Sequence, residues 1–200
     1  MDLVPILISS GWASGVNVYL TVALMSLLGR AGWDAVPAAL QSNRVLVIAL
    51  ALFAIEFVVD KIPYLDNAWD AVHTAVRPAI ASALGVALAG DTGATGLEEA
   101  LSGGGSGAMA LVSHAVKASL RLGVNASPEP FSNILVSLTE DGLVAAVVVL
   151  ARDHPVPAAV IAVILLVAGA AVAVLLIKRI RRALRLLQQR LRRPPPARPG

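Results

Sequence analysis

Two sets of ionisable side chains fall on helical stretches that are otherwise apolar. His73, Arg77, His114, Lys117 and Arg121 form a basic set. Such a set could hold a carboxylate or a phosphate. Glu56, Asp60, Asp70, Glu140 and Asp141 form an acidic set. Carboxyls in a low-dielectric site could bind a cation or carry protons. Ser14 and Asn17 could add neutral contacts, and His73 and His114 are candidates for titration near neutral pH. Together these are the parts of a transporter or channel for a small solute, an anionic and proton-coupled one on this reading.

The same residues admit two other readings. A membrane-embedded enzyme acting on a lipid or its phosphate head group would use the basic set for phosphate and the carboxylates for a metal. Asp70 and His73 are three residues apart, as two ligands on one helix face would be, and Glu140 would complete the set. No His-Glu-x-x-His, P-loop or Gly-x-Ser-x-Gly motif is present, and no cofactor is expected. With no cysteine in the chain, disulfides, thiolate metal sites and thiol catalysis are excluded. The third reading is a non-catalytic membrane factor, in which the charges pair and only hold the bundle together.

The elements that position these groups follow from hydropathy and period. The 200 residues are 57% hydrophobic and 14% charged, against about a quarter charged in soluble domains. A membrane helix needs roughly 20 apolar residues. Six segments qualify as candidates: 3–28, 45–59, 72–89, 101–122, 133–151 and 156–177. The expected fold is an all-α polytopic transmembrane bundle. Its first segment is interrupted by Ser9, Ser10, Gly11, Ser14, Gly15 and Asn17, so it is expected to be broken or re-entrant. The two prolines of Ser127-Pro128-Glu129-Pro130 break the chain between the fourth and fifth segments. Ser132 or Asn133 would then cap the fifth helix.

Within these segments the polar residues recur at helical steps. Ser10, Ser14, Asn17 and Thr21 are separated by four, three and four residues, and so are Asp66, Asp70, His73 and Arg77. Gly103, Gly107, His114, Lys117 and Arg121 share a face, as do Asn133, Ser137 and Glu140; Glu56 and Asp60 are one turn apart. The sixth segment has no polar side chain. Five helices should therefore face a common polar interior, with the sixth on the lipid side. An ionisable group inside a span costs roughly 2.5–3.5 kcal/mol on insertion scales and turns toward a partner or water. Small and hydroxylated residues at these steps also serve close helix packing.

Charge is divided along the chain. Residues 178–200 hold nine of the 16 Lys and Arg and none of the 13 acids. By the positive-inside rule this tail lies in the cytoplasm, and with six spans the N-terminus does too. The expected division is a transmembrane bundle over 1–177, a basic amphipathic helix over 178–193 and a disordered tail over 194–200. Ile180, Leu184, Leu187 and Leu191 give that helix an apolar face suited to an anionic lipid surface rather than to nucleic acid. The expected setting is the cell's inner membrane, with a small solute, the bilayer and a second copy of the chain as partners.

Three motifs carry a resemblance. They are Gly15-Val16-Asn17-Val18-Tyr19-Leu20-Thr21; Glu56-Phe57-Val58-Val59-Asp60-Lys61-Ile62-Pro63 leading to Asp66, Trp69-Asp70, His73-Thr74 and Arg77-Pro78; and Ser113-His114, Lys117, Arg121, Asn125, Ser127-Pro128-Glu129-Pro130, Ser132-Asn133 and Glu140-Asp141. In this order, over about Leu3 to Ile177, the chain resembles the bacterial membrane family catalogued as domain of unknown function 4126. The resemblance implies a small multi-pass inner-membrane protein and carries no catalytic or ligand role.

Overall fold

The computed structural model describes residues 3–125 and 130–191. Among them are six α-helices and one short 3₁₀ turn, and no strand. The helices are α1 (Leu3–Arg30), α2 (Asn43–Val59), α3 (Leu65–Asp91), α4 (Leu97–Asn125), α5 (Pro130–Asp153) and α6 (Pro155–Leu191), with the 3₁₀ turn at Ala38–Gln41. This is the expected all-α bundle, one helix per apolar segment. Glu129, with Ala126, Ser127 and Pro128, and the tail from Arg192 to Gly200 lie outside the described residues.

Several helices run past the apolar limits read from sequence. α3 starts at Leu65 rather than Val72, because Asp66 and Asp70 are buried on its inner face rather than lying in a loop. α5 starts at Pro130, whose missing N–H has no partner to lose in a first turn. Asn133 is therefore inside α5 and is not its cap; its side chain serves Arg121 instead. α6 continues without a break from Pro155 to Leu191. At 1.5 Å per residue Lys178 lies about 35 Å along it, beyond the ~30 Å of a hydrocarbon core.

Four helices, α1, α3, α5 and α6, are long and apolar enough to cross a membrane by length and composition. α2 has 17 residues, or about 25 Å. α1 is the axis of the bundle and touches every other helix. α6 lies outside, exposing Val160, Ile164, Val167 and Leu175.

Close approach of α1, α3 and α4 depends on small residues. A Cβ on Gly15 would run into Ser113 Oγ and Ala110 O, and one on Gly107 into Ser82 Oγ. Without a hydrophobic drive between helices in lipid, such contacts let backbones meet. Gly15→Ala is expected to cost about 1–3 kcal/mol through overpacking. Gly104→Ala, where nothing lies nearby, should be neutral or slightly stabilising. Unfolding of the two variants in mixed micelles checks this pair.

α1 is broken at Asn17, which has φ −150° and ψ 97°. Asn17 Oδ1 accepts from Leu20 N at 3.0 Å, capping the second half-helix. The first half-helix thereby ends in the middle of the bundle, and its last carbonyls lose their ordinary partners.

Candidate functional site

Two cations, Arg77 and Lys117, answer the freed carbonyls, and together with Arg121 they gather the carboxylates around them. Arg77 on α3 is fully buried. Its Nη1 donates to Gly15 O at 3.0 Å and to His114 Nδ1 at 2.8 Å. Its Nη2 lies 2.5 Å from Glu56 Oε1 and 3.2 Å from Asp70 Oδ1. Lys117 on α4 donates to Val16 O at 3.0 Å and to Asp60 Oδ2 at 2.8 Å, with Glu56 Oε1 at 3.5 Å. The C-terminal end of a helix carries partial negative charge, so the first half of α1 adds to the field holding both cations.

Arg121, one turn further along α4, uses its whole guanidinium fork. Nε and Nη2 donate to Glu140 Oε2 at 3.2 and 2.6 Å, and Nη1 donates to Asp60 O at 2.6 Å and Asn133 Oδ1 at 2.8 Å. Nη2 also lies 3.3 Å from Asp60 Oδ2, and Nη1 3.7 Å from Asp66 Oδ2. Asn125 Nδ2 closes this end, 2.9 Å from both oxygens of Asp66. The planar fork meets carboxylate and carbonyl acceptors that a lysine's single ammonium could not reach together.

The histidines sit at the margins of this network. His114 Nδ1 accepts from Arg77, which assigns its proton to Nε2, facing Asp70 O at 3.0 Å and Thr74 Oγ1 at 3.2 Å. His73 Nδ1 donates to Trp69 O at 2.8 Å, leaving Nε2 to accept from the Tyr19 hydroxyl at 2.9 Å. His73 also stacks on Trp69. Asn17 Nδ2 donates to Asp141 Oδ1 at 2.9 Å, so α5 is tied to the α1 break. Ser14 is fully buried, and its Oγ has no hydrogen-bond partner.

The sequence stripes thus converge on one interior. The division into a basic half and an acidic half does not describe it, because the two sets interleave. Asp66, Asn125, Asn133, Tyr19 and Thr74 join without having been assigned as site residues. Asp66 and Asn133 were on the stripes, and Asn125 continues that of α4 one turn beyond Arg121. The backbone acceptors Gly15 O and Val16 O have no side-chain signal at all. Asp70, His73 and Glu140 do not form a metal-ligating group, and no other three His, Asp or Glu do so among the described residues.

Counting the buried polar atoms gives the site its character. Three buried cations, Arg77, Lys117 and Arg121, face four buried carboxyls, Glu56, Asp60, Asp66 and Asp70, together with the half-buried Glu140 and Asp141. Glu56 Oε2, Asp60 Oδ1, Asp70 Oδ2, Glu140 Oε1 and Asp141 Oδ2 have no hydrogen-bond partner. Of the cationic donors in this group only Arg77 Nε is in that position. Trp69 Nε1 and Asn133 Nδ2 are neutral donors without a partner, so the surplus is one of carboxylate oxygens over cationic donors.

Two partly open cavities border the network. One, of about 250 Å³ between α1, α4, α5 and α6, reaches Lys117 and Glu140. The other, of about 200 Å³ on the flank of α3 and α4, reaches Asp70 and Thr74.

These features define an all-α bundle with a charged interior, its apolar helices compatible with a membrane protein. A family model described as a domain of unknown function, DUF4126, matches residues 4–175, and the chain belongs to that family. Neither the curated proteins nor the solved structures contain a match.

Proposed function

We propose that the protein is an integral membrane transporter of a small solute, whose intramembrane site exchanges protons or another cation. Glu56, Asp60, Asp70, Glu140 and Asp141 are the exchanging groups, and Arg77, Lys117 and Arg121 are fixed counter-charges. The observation that carries this reading is the excess of unpartnered carboxylate oxygens over free cationic donors. A proton or a cation satisfies such oxygens. An anion would have to displace carboxylates already seated on Arg77, Lys117 and Arg121.

The break in α1 supports the same reading. Transporters commonly place their site where a discontinuous helix exposes carbonyls near the bilayer midplane. Here the exposed carbonyls of Gly15 and Val16 hold the protein's own cations. Glu56, Asp60, Asp70 and Glu140 each pair with a cation through one oxygen and keep the other without a hydrogen bond, which supports exchange over a purely structural role. The basic tail supports a cytoplasmic C-terminus under the positive-inside rule, and in this reading the bundle sits in the cell's inner membrane with the tail's arginines at anionic lipid.

Purified protein in liposomes with an entrapped pH dye tests this proposal. Under an imposed pH gradient and clamped potential, wild type is expected to pass protons faster than empty vesicles. Glu140→Gln should lower that flux by about tenfold or more, equivalent to about 1.4 kcal/mol in a barrier. Arg121 keeps Asp60 and Asn133 in this variant, so the bundle should still fold. Wild-type flux equal to that of empty vesicles, with protons and with a panel of alkali cations, would remove the proposal.

A further inference from the structure

We infer that α1 is a re-entrant hairpin that sets the N-terminus on the face opposite the basic tail, and that apolar packing between its legs and α5 closes the charged site to the N-terminal face. The geometry stands apart from the transport reading above; the use of this closure as a gate rests on that reading.

The contacts of α5 carry the reversal. Its Asp141 accepts from Asn17 at the break in α1. Further along α5, by about 16 Å, Arg152 Nη2 donates to Ala31 O at 3.1 Å. Ile6, from the other end of α1, lines a cavity of about 320 Å³ together with Trp33, Asp34 and Arg152. In an unbroken helix Ile6 and Ala31 would lie about 37 Å apart. Both legs of α1 therefore run from Asn17 toward the C-terminal end of α5.

The other neighbours agree. The first leg follows α4, with Gly11 against Ser106 O and Gly15 against Ala110 O and Ser113 Oγ. α3 runs opposite to α4, since Arg77 meets His114 while Gly85 lies against Ser102. The second leg follows α3: Tyr19 bonds His73, and Val22 shares a cavity with Ile80. Pro155 lines the same cavity as Ile6 and opens α6. The N-terminus thus shares a face with the start of α6, and the basic tail lies at the far end of that helix. Six full spans would put both termini on one face. Non-helical backbone at membrane depth is tolerated where protein satisfies it, and Arg77 and Lys117 take Gly15 O and Val16 O at the tip.

Charge is confined to one side of that tip. Arg77, Glu56 and His114 lie level with Gly15, and Lys117, Asp60, Arg121 and Asp66 continue from it toward the tail. On the N-terminal side the buried residues of α5 are Val144, Val147, Val148 and Ala151, in one core with Ile6, Met25 and Leu84. An ion crossing that layer loses its water over about 16 Å, at a cost of several kcal/mol. In the transport reading, exchange with the N-terminal face needs α5 and the legs of α1 to part.

The chain has no cysteine, so pairs of spin labels report distances in the full-length protein in lipid nanodiscs. Val4, Asp34 and Leu65 are exposed, and Leu65 opens α3 on the tail side. Double electron–electron resonance should place Val4→Cys closer to Asp34→Cys than to Leu65→Cys, by about 10 Å or more. Equal distances or the reverse order would overturn the hairpin. A thiol at Val148→Cys should react with a charged maleimide at least about tenfold more slowly than one at Asp34→Cys. Equal rates would overturn the closure. The same variants in liposomes are assayed for proton flux. Flux in a protein whose Val4 lies nearer Leu65 overturns this inference and leaves the transport reading standing. The expected distances and protection in a protein that passes no protons uphold the hairpin and its seal, and end that reading together with the gate.

Discussion

Arg77→Ala is expected to destabilise the folded bundle by about 3–5 kcal/mol, the usual loss when one partner of a buried ion pair is removed. Arg77 is fully buried and joins four elements: Gly15 O on α1, Glu56 on α2, Asp70 on its own helix and His114 on α4. Its deletion leaves Glu56 and Asp70 buried with fewer donors, although both already carry an oxygen with no hydrogen bond. Lys117, 3.5 Å from Glu56, is already committed to Asp60 and Val16 O. Arg77→Lys should recover only part of the loss, because one ammonium cannot span the same acceptors. Unfolding in mixed micelles, or by a steric trap in bicelles, measures both variants. A wild-type midpoint for Arg77→Ala would mean that Arg77 does not hold Glu56 and Asp70 in the buried network.

The second large effect concerns how α2 is held. This helix exposes Val47, Ile48, Leu50, Ile55 and Val58, and buries only Ala49 and Glu56 along its length. In lipid those apolar side chains gain nothing by leaving hydrocarbon for protein. What docks α2 is the pair of ionic contacts at its C-terminal end, Glu56 with Arg77 and Asp60 with Lys117 and Arg121. In the double variant Glu56→Gln/Asp60→Asn, α2 should separate from α1 and α3. A cysteine placed at Ala49, in a chain with no cysteine of its own, reports this. Its maleimide labelling is expected to rise at least about tenfold over the same cysteine in the wild-type background. Unchanged protection would show that shape alone seats α2. If the expectation holds, neutralising these two carboxyls is enough to release α2, and the proposed proton exchange would then be coupled to the position of this helix.

The helices and their inward faces were legible in the sequence because a helical period fixes which residues share a side. Ser10, Ser14, Asn17 and Thr21, or Asp66, Asp70, His73 and Arg77, cannot be dispersed around a helix at those spacings. All eight are buried. The absence of polar residues from segment 156–177 likewise placed α6 on the outside. What period cannot supply is register between helices. Whether Lys117 meets Asp60 or Glu140 depends on how far α4 slides along α1, and that is set by Gly15 against Ala110 and Ser113. Hence the sequence showed a basic group and an acidic group, and the fold interleaves them.

Two further features were hidden for different reasons. The acceptors on Gly15 and Val16 are backbone atoms, freed by one residue at Asn17, and composition does not record them. The start of α3 at Leu65, seven residues before Val72, is hidden because hydropathy treats Asp66 and Asp70 as exposed. Their cost in lipid falls once Asn125, Arg121 and Arg77 are placed beside them.

An interior that holds more carboxyls than cations must protonate some of them or take up a cation. Infrared difference spectroscopy of the reconstituted protein through a pH step reads this directly. It should show the C=O stretch of at least one protonated interior carboxyl, changing with pH and lost or shifted in Glu140→Gln. A spectrum with only ionised carboxylates at every pH where the protein is folded, identical in wild type and variant, would contradict it.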